Sequence, residues 1–303
     1  MRRPGPRSLA LIAASLDRAP PPEVRAMSEK LAARLGVAAV LFYGNRLREA
    51  GASGLLDFYV LTESDAAYFG PGAMALAGRW LPPNVVFETV GDPAGDGEAP
   101  VSAKVAVMSL AAFRARMTPA SRDTTVWARF AQPALLTHAR DAGVRAEVAA
   151  AAAEACGAAA WWAARLAAPS AAPGEAWASL FEHTYGAELR VEGGAGRARE
   201  IVARAPALYE ALHADCIAGV EIDAEARARA RRVWARRRRW GKTLNVMRLC
   251  KAAFTFRGGL AYAISKVERH SGRPVELSGW ERRVPWLAAP IVALRLWREK
   301  RLR

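Results

Sequence analysis

Val40-Leu41-Phe42-Tyr43-Gly44-Asn45, with Leu55-Leu56-Asp57-Phe58-Tyr59-Val60 a short way on, decides how this chain is read. Residues 37–43 are an apolar run closed by Gly-Asn, the pattern of a buried strand that enters a tight turn. Residues 55–61 read as a second buried strand. As neighbours in one small sheet, the two runs put the glycine turn and Asp57 at the same end. A glycine turn after a strand opens backbone N–H groups toward an anion. A carboxylate on the adjacent strand can hold Mg²⁺ between protein and triphosphate. Phosphoryl or nucleotidyl transfer needs this arrangement, because positioning and charge neutralisation supply most of its catalysis.

Working outward, residues 23–35 carry apolar positions at helical spacing and stop at Gly36, while 85–90 and 104–110 read as third and fourth strands. Residues 64–80 look helical but are interrupted by Gly70-Pro71-Gly72, and 91–100 form an exposed Gly/Asp/Pro loop. Beyond 110 the strand signals nearly vanish. Helical character marks 110–116, 122–131, 140–168, 175–185, 197–214, 223–240, 244–256 and 260–269, with an Ala/Pro linker at 167–174. The expected fold class is α+β: a small mixed sheet followed by a mostly helical remainder with basic carboxyl-terminal helices.

The 303 residues are 52% apolar, enough for a sizeable core. The formal charge of +15, nearly all of it arginine, points to an anionic partner. Cys156, Cys216 and Cys250 are widely spaced and have no CxxC pair, which excludes a disulfide scaffold and a zinc-ribbon type of site. His138, His183, His213 and His270 show no relay spacing. The amino-terminal residues 9–16 are too short an apolar run for a secretory signal, and no run reaches the roughly 18 apolar residues of a membrane span. The chain therefore reads as soluble or peripheral, expected in the cytoplasm on the inner face of a membrane.

The turn and strand together resemble the polymerase-β-type nucleotidyltransferase signature. Within that superfamily, Tyr43-Gly44-Asn45 and Leu56-Asp57-Phe58 are similar to the Tyr-Gly-Ser turn and Leu-Asp-Phe strand of the mitochondrial-type phosphatidate cytidylyltransferases. Lys104-Val105-Ala106-Val107-Met108-Ser109, the segment Trp127 to Ala134, and Lys251-Ala252-Ala253-Phe254-Thr255-Phe256-Arg257-Gly258-Gly259 resemble further segments of that family, in order. The resemblance implies a nucleotidyltransferase domain over 1–115, a helical domain over 116–240, and a carboxyl-terminal segment over 241–303 that completes the site and faces the membrane. It implies transfer from CTP to phosphatidic acid with Mg²⁺ as cofactor, giving CDP-diacylglycerol and pyrophosphate. Tyr43, Gly44, Asn45, Arg129 and Gln132 would then bind nucleotide, Asp57 and Lys104 would serve catalysis, and Lys251 and Arg257 would hold the lipid phosphate. Asp57 would bind the metal. Asn45 stands where the family has serine, and Tyr59 where the broader superfamily has a second acid, so Glu88 on the third strand is the candidate second metal ligand.

The basic run at 227–239, interleaved with Trp234 and Trp240, fits a solvated helix face, a nucleic-acid patch or a membrane-surface element. Arginine beside tryptophan favours an anionic membrane surface over nucleic acid. Residues 286–303 have the same character. Two rival functions stand beside the lipid reading: a nucleotidyltransferase acting on RNA, protein or a small molecule, and a catalytically degenerate binding protein on the same fold. Oligomeric state has no signature in the sequence.

Overall fold

All seven side chains of Val37–Tyr43 (β1) are buried, as an apolar run with no polar alternation demands of a central strand. The computed structural model describes residues 1–48, 55–91, 100–188, 194–255 and 274–283, together with residues 268, 291, 292, 295 and 298. Leu56–Thr62 (β2), Asn84–Val90 (β3), Val101–Ser109 (β4) and Leu135–Ala139 (β5) join β1 in one sheet of order β3-β4-β2-β1-β5. The β2–β4 pair is parallel; the other pairs are antiparallel. The protein is thus α+β with a mixed sheet.

Each sheet face has its own cover. Val40, Phe42, Phe58, Val60, Val105 and Val107 pack against Val24, Met27 and Leu31 of helix Pro22–Ala32 (α2). The other face presents Tyr43, Tyr59, Leu61, Ala106 and Met108 to a core that runs without a break into the helical part. That core takes in Trp127 and Phe130 of Thr124–Phe130 (α7), Ala155, Ala159 and Trp162 of Ala142–Leu166 (α8), and Trp177 of Pro173–Gly186 (α9). Sheet and helices therefore share one hydrophobic interior. A boundary at 115/116 falls inside this unit, because β5 closes the sheet along β1 with Leu41 opposite Leu136.

Two helical stretches divide differently from their sequence reading. Residues 197–214 split into Gly194–Ala203 (α10) and Pro206–Cys216 (α11), since proline is at home in a first turn and not in an interior. Conversely, the two helices read at 223–240 and 244–256 are one helix, Ala224–Thr255 (α12). Gly241 is not a break there. A Cβ at 241 would lie 2.4 Å from the Ala187 carbonyl oxygen, so glycine lets α12 cross the end of α9 at close range. The helix reading at 260–269, the tail at 286–303 and the loop at 91–100 fall almost wholly outside the described residues. Among the described residues, no helix is long and apolar enough to cross a membrane.

Candidate functional site

The register brings Tyr43, Asp57 and Lys104 into one row across three strands, Tyr43 opposite Asp57 on β1–β2 and Asp57 opposite Lys104 on β2–β4. Side chains alternate along a strand, so these residues share the face that carries Tyr59 and meets the helices. Lys104 Nζ stands 3.6 Å from Asp57 Oδ1, and both side chains stay partly open, at 27% and 30% exposure. Gly44 ends β1 with φ +98°, a left-handed conformation that strains any residue with a Cβ. A Cβ there would also sit 2.8 Å from Asp57 Oδ2. Glycine thus lays bare backbone against the carboxylate.

The opposite wall comes from the helical part. Arg129 of α7 donates to the Tyr59 hydroxyl at 3.1 Å, lies 3.7 Å from Glu188 Oε1, and rests over the Tyr43 ring at 5.7 Å. Burial opposes its charge, and the surrounding Tyr43, Tyr59 and Glu188 more than offset this, so its pKa is raised well above the ordinary arginine value. Burial also drives the Tyr43 phenol well above its usual range, despite the nearby Arg129 charge. Gln132 donates to the Ala128 carbonyl at 2.8 Å. Together with Thr184, Tyr185, Glu188 and Arg197, these groups enclose a polar cavity of about 170 Å³ against Gly44, Asp57 and Lys104.

Tyr43, Gly44, Asp57, Lys104, Arg129 and Gln132 are therefore brought together. The remaining expected site residues are not. Glu88 pairs with Ala103 on β4, one position from Lys104, and so projects from the other sheet face. There Lys30 holds it at 2.9 Å and Arg34 at 2.5 Å, which removes it as a partner for Asp57 at a metal. Lys251 lies near the start of β3, at the other end of the sheet, and donates to the carbonyls of Leu81 at 2.6 Å and Pro83 at 2.7 Å. Burial, with Arg248 beside it, lowers its pKa to about 7. The Asn45 side chain and the whole of Arg257 lie outside the described residues. Thr184, Tyr185, Glu188 and Arg197 escaped the sequence reading; no motif marks them, and only the packing of α9 on α7, α8 and α10 brings them to the cavity that Asp57 lines.

The basic run has two faces on α12. Ala230, Trp234, Arg237, Gly241 and Leu244 point inward at helical spacing. Arg237, 7% exposed, stacks on Trp162 at 4.6 Å and donates to the carbonyls of Ser121 and Pro119. Outward go Arg229, Arg231, Arg232, Arg236, Arg238, Arg239 and Lys242, and the helix has no acid after Glu225. Trp240 and Met247 are exposed on the same helix.

No known protein-family model matches this sequence, and no curated protein matches it.

Proposed function

We propose that the cavity binds the polyphosphate of a nucleoside triphosphate and transfers its nucleotidyl group, with CTP as donor and phosphatidic acid as acceptor. The observation that supports this most is the meeting of Gly44, Asp57 and Lys104 at one sheet end with Arg129 and Gln132 opposite. A volume of about 170 Å³ is below the roughly 300–1,000 Å³ of pockets for whole small ligands. It suits the charged end of a nucleotide.

Asp57 is the carboxylate that β2 gives to the cavity, and Mg²⁺ needs only one or two carboxylates when phosphates and water complete its shell. Asp57 fits that role. The bound ion would supply charge neutralisation at the triphosphate. Lys104 offsets charge on the phosphates from the other side of Asp57. Arg129, fixed by Tyr59 and Glu188, presents a guanidinium that cannot swing away. The acceptor's phosphate monoester is already a nucleophile near neutral pH. Its oxygen bonds to the α-phosphorus as the α–β bridging P–O bond breaks, and pyrophosphate leaves. The outward cations of α12, with Trp240 at 41% and Met247 at 46% exposure, suit docking on an anionic membrane surface, the inner face in a cytoplasmic setting.

One observation favours a second reading, nucleotide binding without turnover. Tyr59 occupies the strand position that would carry a second acid, is fully buried, and is bound by Arg129. Incubation with labelled CTP, Mg²⁺ and vesicles containing phosphatidic acid separates the two. Lipid-soluble label from the intact protein and none from Asp57→Ala is the expected result. Failure with all four nucleoside triphosphates rules out transfer to this lipid, and retained nucleotide binding then leaves the inactive reading or a different acceptor.

A further inference from the structure

Ala73–Trp80 (α5) is amphipathic in the opposite sense from a helix that faces water. Polar groups lie beneath it. Asp65 is 8% exposed and Asn84 is fully buried, and a Cβ on Gly78 would lie 1.9 Å from Asp65 Oδ1 and 2.7 Å from Asn84 Nδ2. The Asn84 amide donates to the Met74 carbonyl at 2.8 Å and holds the helix from below. Ala73, Leu76 and Trp80 point outward at helical spacing, with Leu76 57% and Trp80 79% exposed. Single exposed apolar side chains are ordinary, but here they form the outer face of a helix.

The carboxyl-terminal half of α12 is tied to the end of α5. Lys251 donates to the Leu81 carbonyl at 2.6 Å and Arg248 to the Pro82 carbonyl at 3.0 Å, directly after Trp80. Met247, 46% exposed, precedes Arg248, and Trp240, 41% exposed, lies two turns earlier on the same flank of α12. Farther back, that flank carries the exposed Arg236, Arg232 and Arg229 at spacings of three and four. One surface thus runs from arginines through Trp240 and Met247 toward Trp80, and Arg79 adds an exposed cation on α5 itself. A second copy of the chain would bring the same positive charge to this face and be repelled. An anionic bilayer matches both parts, because its headgroups pair with arginine and its acyl boundary takes tryptophan and leucine.

We propose that α5 is a membrane-insertion element, whose Leu76 and Trp80 enter the acyl boundary of an anionic bilayer while the outward arginines of α12 lie on its headgroups. This rests on the membrane docking in the proposed function and adds the element that enters the lipid. The arginines supply attraction that salt screens. The α5 stripe supplies burial of apolar surface, which salt leaves in place.

Co-sedimentation of the full chain with vesicles of phosphatidylcholine and phosphatidic acid tests this, at low salt and near 1 M salt, where the Debye length is about 3 Å. Leu76→Ser combined with Trp80→Ser should lower partitioning at least about tenfold at both salts and leave CTP binding unchanged. Changing Arg236, Arg238 and Arg239 to Gln should lower it at low salt alone. Trp80→Phe, which keeps an apolar ring, should retain partitioning but lose part of the quenching of tryptophan emission by brominated lipid, and it serves if the double variant folds poorly. If the wild type binds vesicles and neither α5 variant differs from it, docking stands and the insertion element is overturned. If the wild type does not bind vesicles, docking falls and the insertion element with it. Concentration-dependent self-association without lipid, lost in the double variant, assigns the face to a second copy and also overturns the proposal.

Discussion

Where β1 leaves the sheet and β2 enters it, Asp57 and Lys104 stand about a third exposed and face one another across an open polar cavity. At the other end, Asp65, Asn84 and Thr62 are sealed in, and Lys251 is tied to two carbonyls. The same sheet thus carries polar groups under two regimes. Groups left partly wet keep their charges at little cost and can exchange a partner for a ligand. Buried groups must be satisfied locally or cost stability. Substitutions at the first end should therefore act on chemistry, and those at the second on folding.

The largest expected effect is at the open end. Asp57→Ala should lower transfer by about 10³-fold, about 4 kcal/mol of barrier, and leave the thermal midpoint almost unmoved, as kinetics and calorimetry on one preparation would read. A comparable loss of stability would erase the distinction between the ends. Away from both, changing Arg236, Arg238 and Arg239 together to Gln should weaken binding to vesicles containing phosphatidic acid. The loss should be about 1 kcal/mol per charge at low salt, with CTP binding intact. Co-sedimentation across a salt series measures it, and an unchanged partition assigns that face to solvent.

At the closed end, Gly78→Ala drives a methyl group into Asp65 and should destabilise by about 1–3 kcal/mol in urea unfolding. Transfer by the folded fraction should survive. The smallest effect is pH-dependent. Burial and Arg248 lower the folded pKa of Lys251 to about 7, from 10.5 in the unfolded chain. Between those values the unfolded chain holds a proton that the folded one has shed, so the Lys251 contribution to stability rises with pH. Lys251→Met should remove on the order of 1–2 kcal/mol of that rise between pH 7 and pH 10, read as the difference between the two unfolding series. An identical slope in both proteins would show that the two carbonyls hold the ammonium charged throughout.

The two central strands were legible because Val37–Tyr43 and Leu56–Thr62 are apolar on both faces, a pattern that few other elements produce. The fifth strand was not. Leu135–Ala139 is five residues of Leu-Leu-Thr-His-Ala between two helices, and it is extended because the edge of β1 lies open to pair with it. Gly241 misled for the opposite reason: glycine signals a break locally, whereas here it permits a contact. The expected site divided along the same line. Gly44, Asp57 and Lys104 follow from strand ends and register. Glu88 failed because one residue of register moves a side chain to the other face, and Lys251 because distance along a sheet is invisible in a motif.

What the sequence determined by itself was therefore local: the glycine turn, the carboxylate strand, the charge, and the helical nature of most of the chain beyond residue 110. These depend on backbone sterics and on hydrophobic period, which neighbouring residues set. What only the tertiary structure decided was which charges meet. Arg129, Glu188 and Arg197 line the same cavity as Asp57, and Asp65 is sealed beneath α5, because helices far apart in the chain pack on one another and over one sheet to bury apolar surface.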